Sequence, residues 1–448
     1  MSDVLFHYYR VNPTTWFYLS SLLTVALFFK FSRVFSIRNV DLAALILLAP
    51  GLLAREYGEF RDSDATRQLG YVWIFAVSAF LMVRMLLDTL MERRPLLESN
   101  LSPGGLVFLG GSLLVFLLAN VVVTPPAQED LAAAEAATRI EAREPGLDAD
   151  QLTRLGPGYP LLFLLPQIST QSLFSPDGAA AGAPPAARQE VHALTARIMA
   201  ILSQVAIVVG MVVVGWRHFD NVRLGVAAAV LYLLLPSTAL FTGRVDHALP
   251  GALIILAIAA YRWPMLAGAL IGLAIGTIYY PLFLLPLWCS FYWERGIGRF
   301  VVGVAASLAA LVAGLWFTAP DAAVFGDQLR QMFGWIFPSA VSLTGFWGLP
   351  GNDAVFRLPV LAAFVAMMAT LAIWPPRKNL GTLLSCTAAV LLGSQFWKAH
   401  DGGLFMAWFL PPLLLTVFRP NLENRVALNV LEDEWFPRIR RAADPIAA

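Results

Sequence analysis

The sequence has few charged residues, and this shortage sets the class of protein before any motif is considered. Only 14% of its 448 residues are Asp, Glu, Lys or Arg, whereas 58% are apolar. A soluble domain carries about 25% charged residues, so this chain lacks the polar surface that a water-soluble fold requires. The mean hydropathy of +0.67 agrees with that conclusion. Composition alone therefore excludes the soluble domain classes.

Cysteines and the common catalytic motifs are also scarce. The two cysteines, Cys289 and Cys386, both lie within apolar runs, so neither a disulfide framework nor a cysteine metal site is expected. The chain has no HExxH, GxSxG or Walker phosphate loop, which argues against the commonest hydrolases and ATPases. A net charge of +1 argues against nucleic-acid binding, because nucleic acids select basic surfaces. We expect no metal, no cofactor and no nucleic-acid partner.

What the chain does have is a succession of long apolar runs. A transmembrane helix needs roughly 20 apolar residues, and about a dozen such runs follow one another. The sequence therefore predicts an all-α polytopic integral membrane protein with about 12–13 transmembrane helices. The longest polar interval, Thr124–Glu190, predicts one large loop between the fourth and fifth helices. Within it, Gln128–Glu144 has the composition of a helix, with acidic residues in its first turn.

The basic residues predict the orientation of these helices. Lys and Arg are retained on the cytoplasmic side, so the loop that holds Lys30 and Arg33 is expected inside and the large loop outside. The alternation holds only if the run Met265–Trp293 crosses twice. Tyr279-Tyr280-Pro281 interrupts that run, and proline removes a backbone donor that a continuous helix needs. We therefore expect a broken or hairpin element there.

These features divide the chain into four predicted regions. They are N-terminal membrane helices (1–103), a membrane core (104–355) that includes the outer loop 124–190, C-terminal membrane helices (356–418) and a cytoplasmic tail (419–448).

Two acids at the start of the outer loop are candidates for catalysis. Glu129 and Asp130 follow a membrane helix directly, and a carboxylate held at the membrane surface can act as general base toward a hydroxyl. The alternative interpretation is structural, because both acids also suit the positive end of a helix dipole.

Two further outer segments combine cations with titratable groups. Arg244, Asp246 and His247 lie between two apolar helices, and Lys398 with His400 lies between the last two. Arginine, lysine and histidine can bind a phosphate, but ordinary solvated turns contain the same residues.

Trp347 lies in a third outer segment, Trp347–Asp353. Its ring could stack on the face of a sugar, although tryptophans also occur at membrane interfaces without any ligand.

Short motifs in the middle of the chain resemble those of a known family. They are Arg223–Pro236, Asp246–Pro250, Ala267–Ala274 and Tyr280–Pro286. Together they resemble the bacterial GT-C membrane glycosyltransferases, and most closely the group that transfers sugars from polyprenyl phosphates, the mannosyltransferase-like family 87 and its uncharacterised relatives. The resemblance covers about residues 104–350.

The resemblance assigns places to several of the candidate residues. In that group the first outer loop bears the catalytic acid and ends in a Tyr-Gly-Pro or Tyr-Pro-Pro segment; Glu129-Asp130 and Gly156–Pro160, which contains Tyr159, occupy those places. Asp246 stands where relatives carry an Asn-Asp pair, and Ser342–Trp347 resembles their later outer-loop segment. Tyr279 replaces a lysine that relatives often have, so one cation of the family is missing.

The resemblance implies a glycosyltransferase of the outer face of the bacterial cytoplasmic membrane. Its donor would be a polyprenyl-phosphate hexose or pentose, and its acceptor an envelope glycan or a lipid. Asp130, or Glu129 beside it, would be the base of an inverting transfer, while Arg244, His247, Lys398 and His400 would bind the donor phosphate. A transporter or lipid-linked-sugar flippase, and a catalytically inactive GT-C relative, remain the alternatives.

Overall fold

The protein is helical throughout the part of the chain that the structure describes. The computed structural model describes residues 13–91, 97–142, 158–164, 166, 185–294, 296–319, 321–333, 343–376 and 378–421. Within these ranges no β-strand occurs, and seven helices are long and apolar enough to cross a membrane. Six further apolar helices have 10–17 residues. The prediction of an all-α, multi-pass membrane protein is confirmed at this level.

The helices have the following bounds in chain order. They are α1 (Pro13–Phe28), α2 (Ile37–Phe60), α3 (Asp64–Leu87), α4 (Pro103–Val123), α5 (Gln128–Ala142), α6 (Pro185–His218), α7 (Val222–Leu234), α8 (Pro236–Leu240), α9 (Val245–Ala259), α10 (Pro264–Thr277), α11 (Leu285–Phe291), α12 (Ile297–Thr318), α13 (Ala322–Met332), α14 (Arg357–Ile373), α15 (Leu380–Trp397) and α16 (Met406–Phe418). The helix predicted at the start of the outer loop is α5, and the tail from residue 422 lies outside the described residues.

Contacts between helix termini define two ends of the bundle. At one end, which we call the Arg419 end, Arg419 after α16 contacts Asp88 after α3 at 2.8 Å. At the other, the Asp130 end, the first turn of α5 meets the first residue of α9. The membrane helices run between these two ends in alternating directions.

The apolar run Met265–Trp293 is a hairpin with a break at its tip. Helix α10 stops at Thr277, and residues Tyr280–Leu284 form a 3-10 turn before α11. The chain then returns to its starting end, because the hydroxyl of Tyr292 donates to the carbonyl of Tyr261 at 2.6 Å. The predicted discontinuity near Pro281 is confirmed.

A second proline divides another apolar run, Leu224–Phe241, into two helices. Helix α7 ends at Leu234 and α8 begins at Pro236. Leu235 between them is extended, as expected for the residue before a proline. This division matters for the site, because the break turns the chain toward Arg244 at the Asp130 end.

Helices α10 and α12 approach each other through glycines spaced by four residues. A Cβ on Gly268 would overlap the carbonyl of Phe300, and one on Gly272 would overlap the hydroxyl of Ser307. Small residues at this spacing allow close backbone packing in membranes, where lipid offers no hydrophobic driving force for association. The hairpin is thereby held against α12.

Candidate functional site

Helix α5 carries Asp130 into the protein through a face made of alanines. Ala133, Ala134 and Ala137 are buried and share an apolar cluster with Ala196 and Ala200 of α6. Small side chains on both helices allow α5 to lie close to α6. Since Asp130 precedes these alanines by three to seven positions, it lies on the same buried face of the helix.

Asp130 is fully buried and both of its carboxylate oxygens accept hydrogen bonds. The hydroxyl of Tyr159 donates to Oδ1 at 2.7 Å, and the backbone N–H of Val245, the first residue of α9, donates to Oδ2 at 3.1 Å. Tyr159 lies in the helical segment 158–164, whose residue Gly158 packs against the backbone of Gly276. Three segments far apart in sequence therefore fix this one carboxylate.

The guanidinium of Arg244 is shared between two other acids of the site. Its Nε and Nη2 donate to the two carboxylate oxygens of Asp246 at 3.0 and 2.7 Å. Its Nη2 also lies 3.8 Å from Glu129. The structure thus brings together Glu129, Asp130, Arg244, Asp246 and Tyr159, which we call the Asp130 cluster. Arg244 pairs with two of its three carboxylates, Asp246 and Glu129, while Asp130 is held by Tyr159 and Val245.

The surroundings of Asp130 raise the pKa of its carboxyl group to near neutral pH. The pKa of Asp130 is raised from its usual 3.8 to about 7, mainly because the carboxyl group is buried and also because the Asp246 carboxylate lies near it. The hydrogen bonds from Val245 and Tyr159, and the charge of Arg244, lower the pKa and limit the shift. A carboxylate with a pKa near the working pH is well suited to accept and release a proton.

His247 is held between aromatic rings beside the cluster. Its imidazole stacks on Phe241 at 4.4 Å and on Phe405 at 4.3 Å between ring centroids. Its Nε2 lies 4.0 Å from Oδ2 of Asp246, and its buried Nδ1 has no hydrogen-bond partner among the described residues. His247 and Asp246 therefore belong to the first turn of a buried helix and not to a solvated turn.

Lys398 and His400 do not form a solvated loop either. Lys398 is only 2% exposed, its ammonium donates to the backbone carbonyl of His400 at 2.9 Å, and it lies 4.1 Å from the ring centre of Phe405. The ring of Phe405 thus contacts both Lys398 and His247. Cation–π contacts of this kind stabilise a desolvated ammonium. The structure therefore brings Lys398 to the edge of the Asp130 cluster. His400 contacts Lys398 through its backbone carbonyl and not through its imidazole.

Trp347 is buried and ties its loop to α15. Its indole N–H donates to the carbonyl of Phe396 at 3.1 Å, and its ring meets Phe346 edge to face. The loop is closed further by Thr344, whose N–H donates to Ala399. Trp347 therefore supports the segment that carries Lys398.

A cavity of about 190 Å³ lies beside the cluster and contains residues that the sequence analysis did not select. It is bounded by α1, α2, α4, α6 and α8 and reaches Gly243 and Arg244. Its polar lining includes Glu56, Asn120 and Arg197. One signal in the sequence indicates Arg197: it is an arginine directly before the long apolar stretch of α6. Glu56 carries no comparable signal, because it lies in the polar end of α2.

Comparisons with known proteins add no family assignment. No family model matches the chain, and no curated protein sequence matches it. Within the described ranges, no group of three or more His, Cys, Asp or Glu side chains is arranged to hold a metal ion.

Proposed function

We propose that this protein is a membrane glycosyltransferase that transfers a sugar from a polyprenyl-phosphate donor to an envelope glycan or lipid acceptor. One observation carries the proposal: the buried Asp130, with a pKa of about 7, lies next to a guanidinium and to an apolar cavity. A base, a phosphate-binding cation and a place for a lipid chain are the parts that such a transfer requires.

In the proposed reaction Asp130 accepts the proton of the acceptor hydroxyl. The acceptor oxygen then attacks the anomeric carbon, and the bond from that carbon to the lipid phosphate breaks with inversion. The bonding electrons leave with the phosphate, where negative charge develops in the transition state. Arg244 would stabilise that charge with its Nη1 donors, which lie outside its fork to Asp246, and Lys398 and His247 would contribute from the edge of the cluster.

The arrangement of the helices supports the proposed location. The seven long helices and the six shorter apolar ones of the described chain would together supply the predicted crossings. Arg38, Arg84 and Arg419 lie at the Arg419 end, which would make this the cytoplasmic end. The Asp130 cluster would then face the outside of a bacterial cytoplasmic membrane.

A transporter or lipid flippase is the second candidate, because charged residues are also buried at the Arg419 end. Transporters use buried ionisable groups in their pathways. There, however, the carboxylates of Asp41 and Asp88 are fully engaged by Arg84 and Arg419, which is the arrangement of a fixed ion network. An inactive relative is the third candidate, since Tyr279 replaces a lysine of the family and instead stacks on Tyr280.

Mass spectrometry of lipid-linked sugars and envelope glycans distinguishes these candidates. It should be applied to a deletion strain that carries the wild-type gene, the Asp130→Asn variant or no gene. A transferase predicts that the deletion and Asp130→Asn both accumulate one lipid-linked sugar and lack one glycan. Purified protein should also cleave the sugar–phosphate bond of that lipid, which a flippase leaves intact. Identical lipid and glycan profiles in all three strains would contradict the proposal.

A further inference from the structure

The cavity beside the Asp130 cluster is lined mostly by apolar side chains, and its polar lining residues include two arginines. Its walls are mainly apolar side chains from α1, α2 and α4, and the rings of Trp16 and Phe116 stack within it at 5.6 Å. Arg197, Arg244 and residues 124–127 also line the cavity, and residues 124–127 directly precede the first turn of α5, which carries Glu129 and Asp130. An occupant would therefore place a hydrocarbon chain inside and a polar head beside the cluster.

Two donors of this cavity are buried without a hydrogen-bond partner. They are Nε of Arg197 and Nε1 of Trp16, neither of which finds an acceptor among the described residues. Burying an N–H group without an acceptor is costly, so such groups indicate that a further acceptor belongs there. Both orphaned groups are donors, which favours a ligand rich in acceptor oxygens.

The charge of Arg197 is balanced less completely than that of Arg244. Arg244 is forked onto Asp246, so much of its positive charge is already neutralised. In the described chain Arg197 makes no ion pair with a carboxylate, and its Nη2 has only a long contact of 3.5 Å with the carbonyl of Thr124. A guanidinium in an apolar setting without a carboxylate partner is a strong site for a phosphate.

We infer that this cavity binds a single-chain lipid phosphate, with Arg197 holding the phosphate and the apolar walls holding the chain. The inference rests on the proposed function, because the bound lipid would be the polyprenyl-phosphate part of the donor. It gives the N-terminal helices a role: α1 and α2 supply Trp16, Leu52 and Leu53 to the chain-binding walls. It also makes Arg197, rather than Arg244, the main phosphate anchor.

The test is equilibrium binding of farnesyl phosphate to the purified full-length protein in detergent, with farnesol as the probe that lacks the phosphate. Arg197→Gln should weaken farnesyl phosphate binding about 10- to 100-fold, because it removes charge-assisted hydrogen bonds, and should leave farnesol binding unchanged. Leu53→Trp should weaken both ligands by filling the chain site. The matched controls are Arg330→Gln, an exposed arginine, and Val115→Trp, an exposed position of α4; both should bind as the wild type does.

The outcomes separate this inference from the proposed function. If the wild type binds farnesyl phosphate but Arg197→Gln and Leu53→Trp bind it equally well, the cavity assignment is wrong and the donor class still stands. If the wild type does not bind farnesyl phosphate, the cavity assignment and the proposed donor class are both wrong. If dioleoylphosphatidylglycerol displaces farnesyl phosphate at equal concentration, the cavity is an unselective lipid site and the inference is overturned.

Discussion

The two buried clusters of charge lie at opposite ends of the helices and differ in how completely they are paired. At the Arg419 end, Nε and Nη2 of Arg84 lie 2.8 and 3.0 Å from the two carboxylate oxygens of Asp41. Its Nη1 donates to Oδ1 of Asp88 at 2.9 Å, and Arg419 donates to Oδ2 of Asp88. The guanidinium of Arg38 donates hydrogen bonds to the backbone carbonyls of Thr416 and Arg419 at the end of α16. Each carboxylate oxygen of Asp41 and Asp88 faces a guanidinium, so the network joins α2, α3 and the end of α16 and leaves neither carboxylate unpaired.

At the Asp130 end the carboxylates outnumber the guanidinium that they share. The guanidinium of Arg244 pairs with both oxygens of Asp246, whereas among the described residues Asp130 accepts hydrogen bonds from the hydroxyl of Tyr159 and the backbone N–H of Val245. The negative charge of Asp130 is therefore poorly stabilised, and its pKa is about 7. The two ends thus differ: the paired network joins helices, whereas the unmatched cluster holds a carboxyl group that can take up a proton near neutral pH, as the proposed transfer requires.

The largest expected effect on stability belongs to the matched network. Arg84→Ala leaves two buried carboxylates without their main partner, and breaking a buried ion pair in this way costs about 3–5 kcal/mol. Thermal unfolding in detergent should show a large decrease in melting temperature. The control is Arg330→Ala, whose partner Asp327 is exposed, and an exposed pair contributes about 0–1 kcal/mol. Equal stability of the two variants would show that the Arg419 end does not hold the helices.

The next effect belongs to Arg244 in the unmatched cluster. If the proposed reaction is correct, Arg244→Gln removes a cation from the leaving phosphate and should lower turnover about 10²- to 10³-fold, the usual loss when one stabilising donor is removed. It also removes the charge that lowers the pKa of Asp130, so the rise of the rate with pH should move to higher pH. A loss of turnover with an unchanged pH dependence would show that the charge of Arg244 does not influence the pKa of Asp130.

A smaller and more specific effect is expected from Tyr159. In the wild type, kcat/KM should rise with pH to a plateau with a midpoint of about 7, since Asp130 must be ionised to act as a base. Tyr159→Phe removes a hydrogen bond that favours the ionised form, so the midpoint should increase by roughly one pH unit and the rate should recover at high pH. A purely structural Tyr159 would lower the plateau and leave the midpoint in place.

The features that the sequence predicts well depend on local patterns. The helices and the break at Pro281 both follow from short stretches of sequence. The candidate acids and Arg244 could also be selected, because polar groups between apolar runs are conspicuous. The exclusion of water from Lys398 could not be predicted, because it depends on Phe405 and on the loop that carries Trp347.

The elevated pKa of Asp130 likewise depends on contacts between distant segments. Tyr159 and Val245 lie 29 and 115 positions away from it in the chain. The place of Arg197 and Glu56 beside one cavity depends on folding in the same way, although the arginine itself stands out in the sequence.

The Asp130→Asn variant distinguishes a catalytic role of Asp130 from a purely structural one. Sugar transfer and thermal unfolding should be measured on the same purified samples at pH 8. The raised pKa means that the folded state binds its proton more tightly than the unfolded state, so Asp130 lowers stability as the pH rises from about 4 through about 7. Because the variant lacks this penalty, we expect an unfolding temperature at least equal to that of the wild type, with turnover reduced about 10²- to 10⁴-fold. The adjacent Glu129→Gln variant should keep most of its turnover. Near-normal transfer by Asp130→Asn, together with a lower unfolding temperature, would show that Asp130 only stabilises helix ends and would contradict the account.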